Sequence, residues 1–128
     1  MNTDMRTDLA KVRGMGAAHE GTGHFFQQRL TGLFNLVLTV FFVGYVACLL
    51  GADRAAIVAS FKNPLVSFGF AAILVSSCWH MKLGLQMVVE DYVHGHVSKL
   101  VLLIANYVYC FGLMGLGLLA ILKMFLGA

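Results

Sequence analysis

Three stretches of this chain are apolar for longer than a helix in water requires. Residues 30–50 and 100–122 carry no charged side chain, and residues 65–89 carry only His80 and Lys82 as basic intruders. A helix crossing the hydrocarbon core of a bilayer needs about 20 apolar residues, and each run reaches that length. The chain has 128 residues, 59% hydrophobic and 12% charged, too few polar groups to clothe a soluble domain of this size. The reading is an all-α integral membrane protein. It forms one membrane domain over residues 1–128, with three transmembrane helices and no room for a soluble catalytic domain.

Charge placement orients it. Arg6, Lys11, Arg13 and Arg29 precede the first span. The 51–64 connection holds only Arg54 and Lys62, and the 90–99 connection adds Lys99. The excess of basic residues before the first span predicts a cytoplasmic N-terminus, and three crossings put the C-terminus on the other side. The net charge of +3 is too small to suggest nucleic acid. The first 29 residues are polar and include Asp4, Asp8 and Glu20, which fits neither a cleavable signal peptide nor a mitochondrial transit peptide. The expected setting is a bacterial inner membrane. Cys48, Cys78 and Cys110 each fall in an apolar run without C-x-x-C spacing and read as small packing residues.

Residues 1–23 are polar and glycine-rich and are expected to be loosely ordered unless a partner holds them. His24-Phe-Phe-Gln-Gln-Arg29 reads as an interfacial anchor entering the first span. Residues 55–62 predict a short amphipathic stretch along the far membrane surface. Asn63-Pro64 breaks the chain, with Pro64 suited to the first turn of a second helix ending near Tyr92. His94-Gly95-His96 reads as a tight turn, and Ser98 as the N-cap of the third helix.

His80 carries most of the functional information, because an imidazole in hydrocarbon is costly and needs a partner. On a helix, residues three, four, seven and eleven apart share a face. From His80 that face collects Gly69, Ile73, Ser76, Ser77, Gly84, Met87 and Asp91, mostly small or polar near the imidazole. The opposite side holds Leu74, Val75, Cys78, Lys82, Leu85 and Val89 and is expected to meet lipid. Two readings stand for His80. One is an interhelical hydrogen bond to a Ser, a Thr or a backbone carbonyl. The other is axial ligation of haem iron, with Gly84 and Ser76 clearing space for a porphyrin. Only one such histidine is buried, so a six-coordinate iron needs its second ligand from another chain.

Asp91 and Tyr92 close the helix at the cytoplasmic interface. Tyr92 is either an aromatic-belt residue or a phenol donating to a quinone carbonyl, and Asp91 either a solvated charge or a group orienting nearby cations. Arg29 falls on the same side, where it contacts lipid phosphate, a haem propionate or a quinone head. Lys82 points away from His80, toward water at the membrane surface or another helix. His94 and His96 lack a third ligand nearby for a metal, and His19 and His24 are ambiguous. Asn106 needs a partner, and Gly112 and Gly115 mark a close-packing face.

The segment His80-Met-Lys-Leu-Gly84-Leu-Gln-Met-Val-Val-Glu-Asp91-Tyr92, of the form H-x3-G-x6-D-Y, resembles the hallmark of the succinate dehydrogenase hydrophobic membrane anchor subunits, the D subunits of complex II. Glu20-Gly-Thr-Gly-His-Phe-Phe-Gln-Gln-Arg29-Leu-Thr31-Gly32 is similar to that family's entry into its first helix, with Gly32 where alanine is frequent. The resemblance spans essentially the whole chain. It implies a haem-binding bundle completed by a partner. His80 is then an axial ligand of haem b opposite a histidine of the cytochrome b subunit. Tyr92 bonds the ubiquinone head beside Asp91, and Arg29 contacts a haem propionate. It also implies a flavoprotein subunit and an iron–sulfur subunit on the cytoplasmic face, with no chemistry performed by this chain alone. Alternatives are a fumarate reductase anchor, a small transporter or proton-path subunit using His80 and Asp91 without haem, and a structural anchor without cofactor.

Overall fold

The computed structural model describes residues 7–15 and 21–127. Asp4, Arg6, His19 and Glu20, singled out above, lie outside the described residues. Among the described residues all regular structure is helical: α1 (Asp8–Met15), α2 (Gly21–Cys48), α3 (Arg54–Ser60), α4 (Pro64–Tyr92) and α5 (His96–Leu126). Helix α1 gives residues 8–15 regular structure within the segment expected to be loosely ordered. Three helices, α2, α4 and α5, are long and apolar enough to cross a membrane. They contain 28, 29 and 31 residues. At 1.5 Å per residue each is about 42–46 Å long, against about 30 Å of hydrocarbon, so each exceeds its apolar run and reaches the headgroup layer.

Local chemistry sets the helix ends. Gly51, with φ of 83°, turns the chain after α2 in a conformation that favours glycine. Asp53 caps α3, its Oδ1 accepting from the Ala56 N–H at 2.8 Å. Asn63 caps α4, its Oδ1 accepting from the Leu65 N–H at 2.9 Å, with Pro64 in the first turn as expected. Helix α5 starts three residues earlier than Ser98 would place it. Its N-cap is Gly95, whose carbonyl already accepts from the Lys99 N–H at 2.8 Å. Lys99 Nζ also donates to the Glu90 carbonyl at 2.8 Å, satisfying an acceptor that the end of α4 would otherwise leave open.

Helix α4 is the central element. Both α2 and α5 pack on it, and they make no comparable contact with each other. On the α2 side, Gln28 meets Gly84, Thr31 and Gly32 meet His80, and Phe41 meets Gly69. The contacts climb one helix as they descend the other, so the pair is antiparallel. On the α5 side, Asn106 and Tyr107 meet Lys82, Phe111 meets Trp79, and Gly117 meets Leu74. The side of α4 opposite His80 therefore packs on α5, which corrects its assignment to lipid. Its leucines suit a helix–helix seam as well as a lipid face, and hydropathy does not separate the two. Within the chain, Gly117 is the close approach on α5, whereas Gly112 and Gly115 face open space, with no neighbour within 4 Å of where a β-carbon would stand.

At the far end, Tyr45, Phe61 and Phe70 join α2, the residue after α3, and α4. Ring centroids lie 4.8 Å apart for Tyr45–Phe70 and 4.9 Å for Phe61–Phe70. The Tyr45 and Ser60 hydroxyls share a hydrogen bond. Each aromatic pair contributes about 0.5–1.5 kcal/mol beyond its buried area. A Cβ on Gly69 would come within 2.5 Å of the Phe41 ring, which is itself held against Phe70. Gly69→Val is expected to force these helices apart and lower stability by about 1–3 kcal/mol, read as a reduced unfolding temperature in detergent. An unchanged temperature would show that α2 does not rest on Gly69.

Candidate functional site

His80 lies near the middle of α4, half-buried against α2. Its Nδ1 is 2.9 Å from Thr31 Oγ1, and its Nε2 is 3.3 Å from Gln28 Nε2. A Cβ on Gly32 would lie in ordinary contact, 3.4 Å from the ring carbon Cε1, and one on Gly84 would lie 3.4 Å from the Gln28 amide nitrogen, so both glycines adjoin the imidazole. Gln28 thus fills the space beside Gly84 that the sequence reading gives to a porphyrin.

These contacts suit one tautomer. With hydrogen on Nδ1, a neutral imidazole donates to Thr31 Oγ1 and its Nε2 accepts from the Gln28 amide nitrogen that faces it. The Thr31 hydroxyl proton is already directed at the Gln27 carbonyl, 2.8 Å away, with the Gln28 carbonyl at 3.2 Å. The interhelical hydrogen bond to a threonine is therefore present, and it leaves the Nε2 lone pair directed out of the ring. The two readings of His80 are compatible, because they use different nitrogens.

The site also has unspent polar capacity. Gln28 Oε1 and Asn35 Oδ1 are buried and accept no hydrogen bond. No group of three or more His, Cys, Asp or Glu side chains among the described residues could hold a metal ion, and His94 and His96 form no such cluster. His80 is then a single ligand, as an imidazole is to the iron of a porphyrin. One directed imidazole nitrogen with a hydrogen-bonded second nitrogen, beside small residues and a displaceable amide, fits haem iron.

The other residues singled out are not gathered at His80. Asp91 and Tyr92 are the last two residues of α4, and Tyr92 is 77% exposed. They lie about 17–18 Å of helix rise from His80. Arg29 follows Gln28 directly but points about 130° away from the direction shared by Gln28 and Thr31. Its guanidinium stacks 4.3 Å above the Phe25 ring on the exposed side of α2, and no carboxylate among the described residues pairs with it. Arg29 thus stands within a turn of the His80 level, and Tyr92 at the membrane edge, so the two mark separate positions.

Lys82 is buried between α4 and α5, its Nζ 4.4 Å from the Tyr107 ring centroid and 5.9 Å from that of Trp79. Cation–π attraction to these faces, rather than reach to the membrane surface, accounts for its position. Asn106 finds its partners here: its Nδ2 donates to the Lys82 carbonyl at 2.9 Å, and its Oδ1 accepts from the Cys110 thiol at 3.2 Å.

Gln28 and Thr31 are the site residues that residue-by-residue reasoning overlooks. The signal is there to be read: Gln28, Thr31 and Asn35 sit at intervals of three and four, a polar stripe that runs from the polar start of α2 into its apolar run.

Comparison with known proteins gives a consistent picture. The family model described as succinate dehydrogenase/fumarate reductase transmembrane subunit matches residues 3–121. The chain is 29% identical over 125 residues to a succinate dehydrogenase hydrophobic membrane anchor subunit from Paracoccus denitrificans, covering 91% of this chain and 97% of the relative. A protein of the same description from Rickettsia bellii is 26% identical over 105 residues, covering 82% and 84%. A succinate dehydrogenase membrane anchor subunit from Reclinomonas americana is 26% identical over 84 residues, covering 63% and 70%. No solved structure matches the chain.

Proposed function

Because this chain belongs to the succinate dehydrogenase/fumarate reductase transmembrane subunit family, we propose that it is the hydrophobic membrane anchor of a succinate:ubiquinone oxidoreductase, holding one side of a haem b and part of the ubiquinone-reduction site. The observation that carries the haem assignment is the directed Nε2 of His80, whose other nitrogen is already spent on Thr31. A bound haem supplies a one-electron store within the bilayer. This chain's part is to fix an imidazole at mid-membrane and to leave room around it.

Further roles follow from position. Arg29, without a carboxylate partner among the described residues, neutralises a haem propionate. Tyr92 presents an exposed phenol at the membrane edge, where a quinone keeps its tail in lipid and its head at the interface. The Tyr92 O–H donates to a quinone carbonyl, and Asp91 beside it orients neighbouring cations. The residues that would hold haem and quinone, His80 and Tyr92, then lie at different depths along α4.

The chain shows neither a flavin motif nor a cysteine cluster for iron–sulfur, its Cys48, Cys78 and Cys110 being scattered, and we assign dehydrogenation and the cluster relay to partners. These are a flavoprotein subunit, an iron–sulfur subunit, and a cytochrome b subunit supplying the opposing histidine. With the basic N-terminal residues inside, α2 begins at the cytoplasmic face of a bacterial inner membrane, and Tyr92 returns to it. The soluble subunits dock there. The fumarate reductase reading runs the same parts toward quinol oxidation, but the relatives above carry the succinate dehydrogenase name.

The test is purification of the chain with its co-purifying subunits from detergent-solubilised membranes. The expected product contains the partner subunits and shows a low-spin b-type spectrum. A complex complete in its subunits but without b-type haem bands would remove the haem reading, and a solitary chain would remove the anchor reading.

A further inference from the structure

The haem reading assigns the iron to His80 but does not say what holds the imidazole in the form that can bind it. We propose that Thr31 is the positioning residue for His80: its hydroxyl oxygen takes the Nδ1 hydrogen, fixes the tautomer, and aims Nε2 at the iron. This rests on the haem reading and extends it to a residue on a different helix.

Three observations support it. Thr31 Oγ1 lies 2.9 Å from His80 Nδ1, within the range of a well-formed bond. The Thr31 hydroxyl proton is committed to the Gln27 carbonyl at 2.8 Å, so the oxygen faces His80 as an acceptor. That commitment matters, because a free hydroxyl could donate to Nδ1 and stabilise the wrong tautomer, with hydrogen on Nε2. Lastly, the Cε1–Nδ1 edge of the imidazole rests beside Gly32, next to Thr31, so the ring is held by contact as well as by the bond.

Gln28 explains the Nε2 side. Its amide donates to the lone pair that a metal would take, at the long distance of 3.3 Å, and its own carbonyl oxygen is buried without a partner. It is a poorly satisfied group whose departure costs the site little.

A hydrogen bond from the second nitrogen of a ligating histidine raises the basicity of the first, and loss of such a partner typically weakens a metal site about 10- to 100-fold. A more basic imidazole favours ferric over ferrous iron. Removing the acceptor is therefore expected to raise the haem midpoint potential. A tenfold change in that preference corresponds to about 59 mV for a one-electron couple.

The experiment compares wild type, Thr31→Val and Thr31→Ser in the intact complex, by haem content, redox titration of the b-type band and low-temperature electron paramagnetic resonance. Thr31→Val keeps the shape and removes the oxygen, whereas Thr31→Ser keeps the oxygen and removes the methyl. The expected result is a raised potential, shifted ferric g-values and reduced haem content in Thr31→Val, with Thr31→Ser close to wild type. If Thr31→Val blocks assembly, Thr31→Ala lacks the same oxygen without crowding and is read the same way. An unchanged potential in the oxygen-free variant overturns the proposal and leaves the haem reading standing. So does an equal shift in Thr31→Ser, which would make the methyl the determinant. A wild-type complex without haem b removes both.

Discussion

His80→Ala is expected to yield an assembled complex without a normal b-type spectrum. The substitution removes the only imidazole that α4 buries against α2, and neither Thr31 nor Gln28 carries a nitrogen ligand to replace it. Haem content should fall by more than the roughly 10- to 100-fold that follows loss of an outer-shell partner, since here the ligand itself is lost. The fold should survive. Two polar contacts between transmembrane helices are given up, each worth about 0.6 kcal/mol on average and up to about 1.7. Phe41 still seats on Gly69, and the aromatic cluster of Tyr45, Phe61 and Phe70 is untouched. The measurement is the absorption spectrum of the purified variant together with its subunit composition. An unaltered spectrum with all subunits present would remove His80 as the ligand.

Tyr92→Phe should separate the two functions. The phenol is about 18 Å of helix from His80, so the haem spectrum should stay as in wild type. Ubiquinone reduction should slow by about 10- to 100-fold, because a hydrogen bond to an oxygen that gathers charge contributes about 1.5–3 kcal/mol. Succinate oxidation measured with an artificial acceptor at the soluble subunits should be unchanged, which distinguishes a lost quinone contact from a damaged complex. Full quinone reductase activity in Tyr92→Phe would return this residue to the aromatic belt. Its exposure, 77%, leaves its hydroxyl available to a ligand arriving from outside the chain.

The three crossings are legible in the sequence because hydrophobic length is a property of composition and needs no tertiary information. The ends of the helices are less so. They depend on caps and on how quickly the chain can turn, and Gly95 begins α5 before Ser98 has the chance. The inward direction of His80 is legible from the small residues around it. The seam on the other side of α4 is not, since Leu74 looks the same facing lipid as facing Gly117. Lys82 shows the limit clearly. A lone cation in an apolar run suggests an escape to water, and only the placement of Tyr107 and Trp79 beside it explains why it stays. Gln28 reads with its neighbours as part of an interfacial anchor, although the helix carries it inward to the imidazole.

Helices α2, α4 and α5 stand side by side, with α4 between the other two. Such a row is a fence rather than a vessel: it has two broad walls and encloses nothing. Only Phe61, Ser67, Cys78, Lys82, Leu83, Asn106 and Cys110 are buried among the described residues, and of these Leu83 alone is shut away completely. A flat cofactor set against this fence would have one covered side and one open to the acyl chains. The described residues supply no second wall, so on the haem reading sealing the compartment is a task shared with another chain.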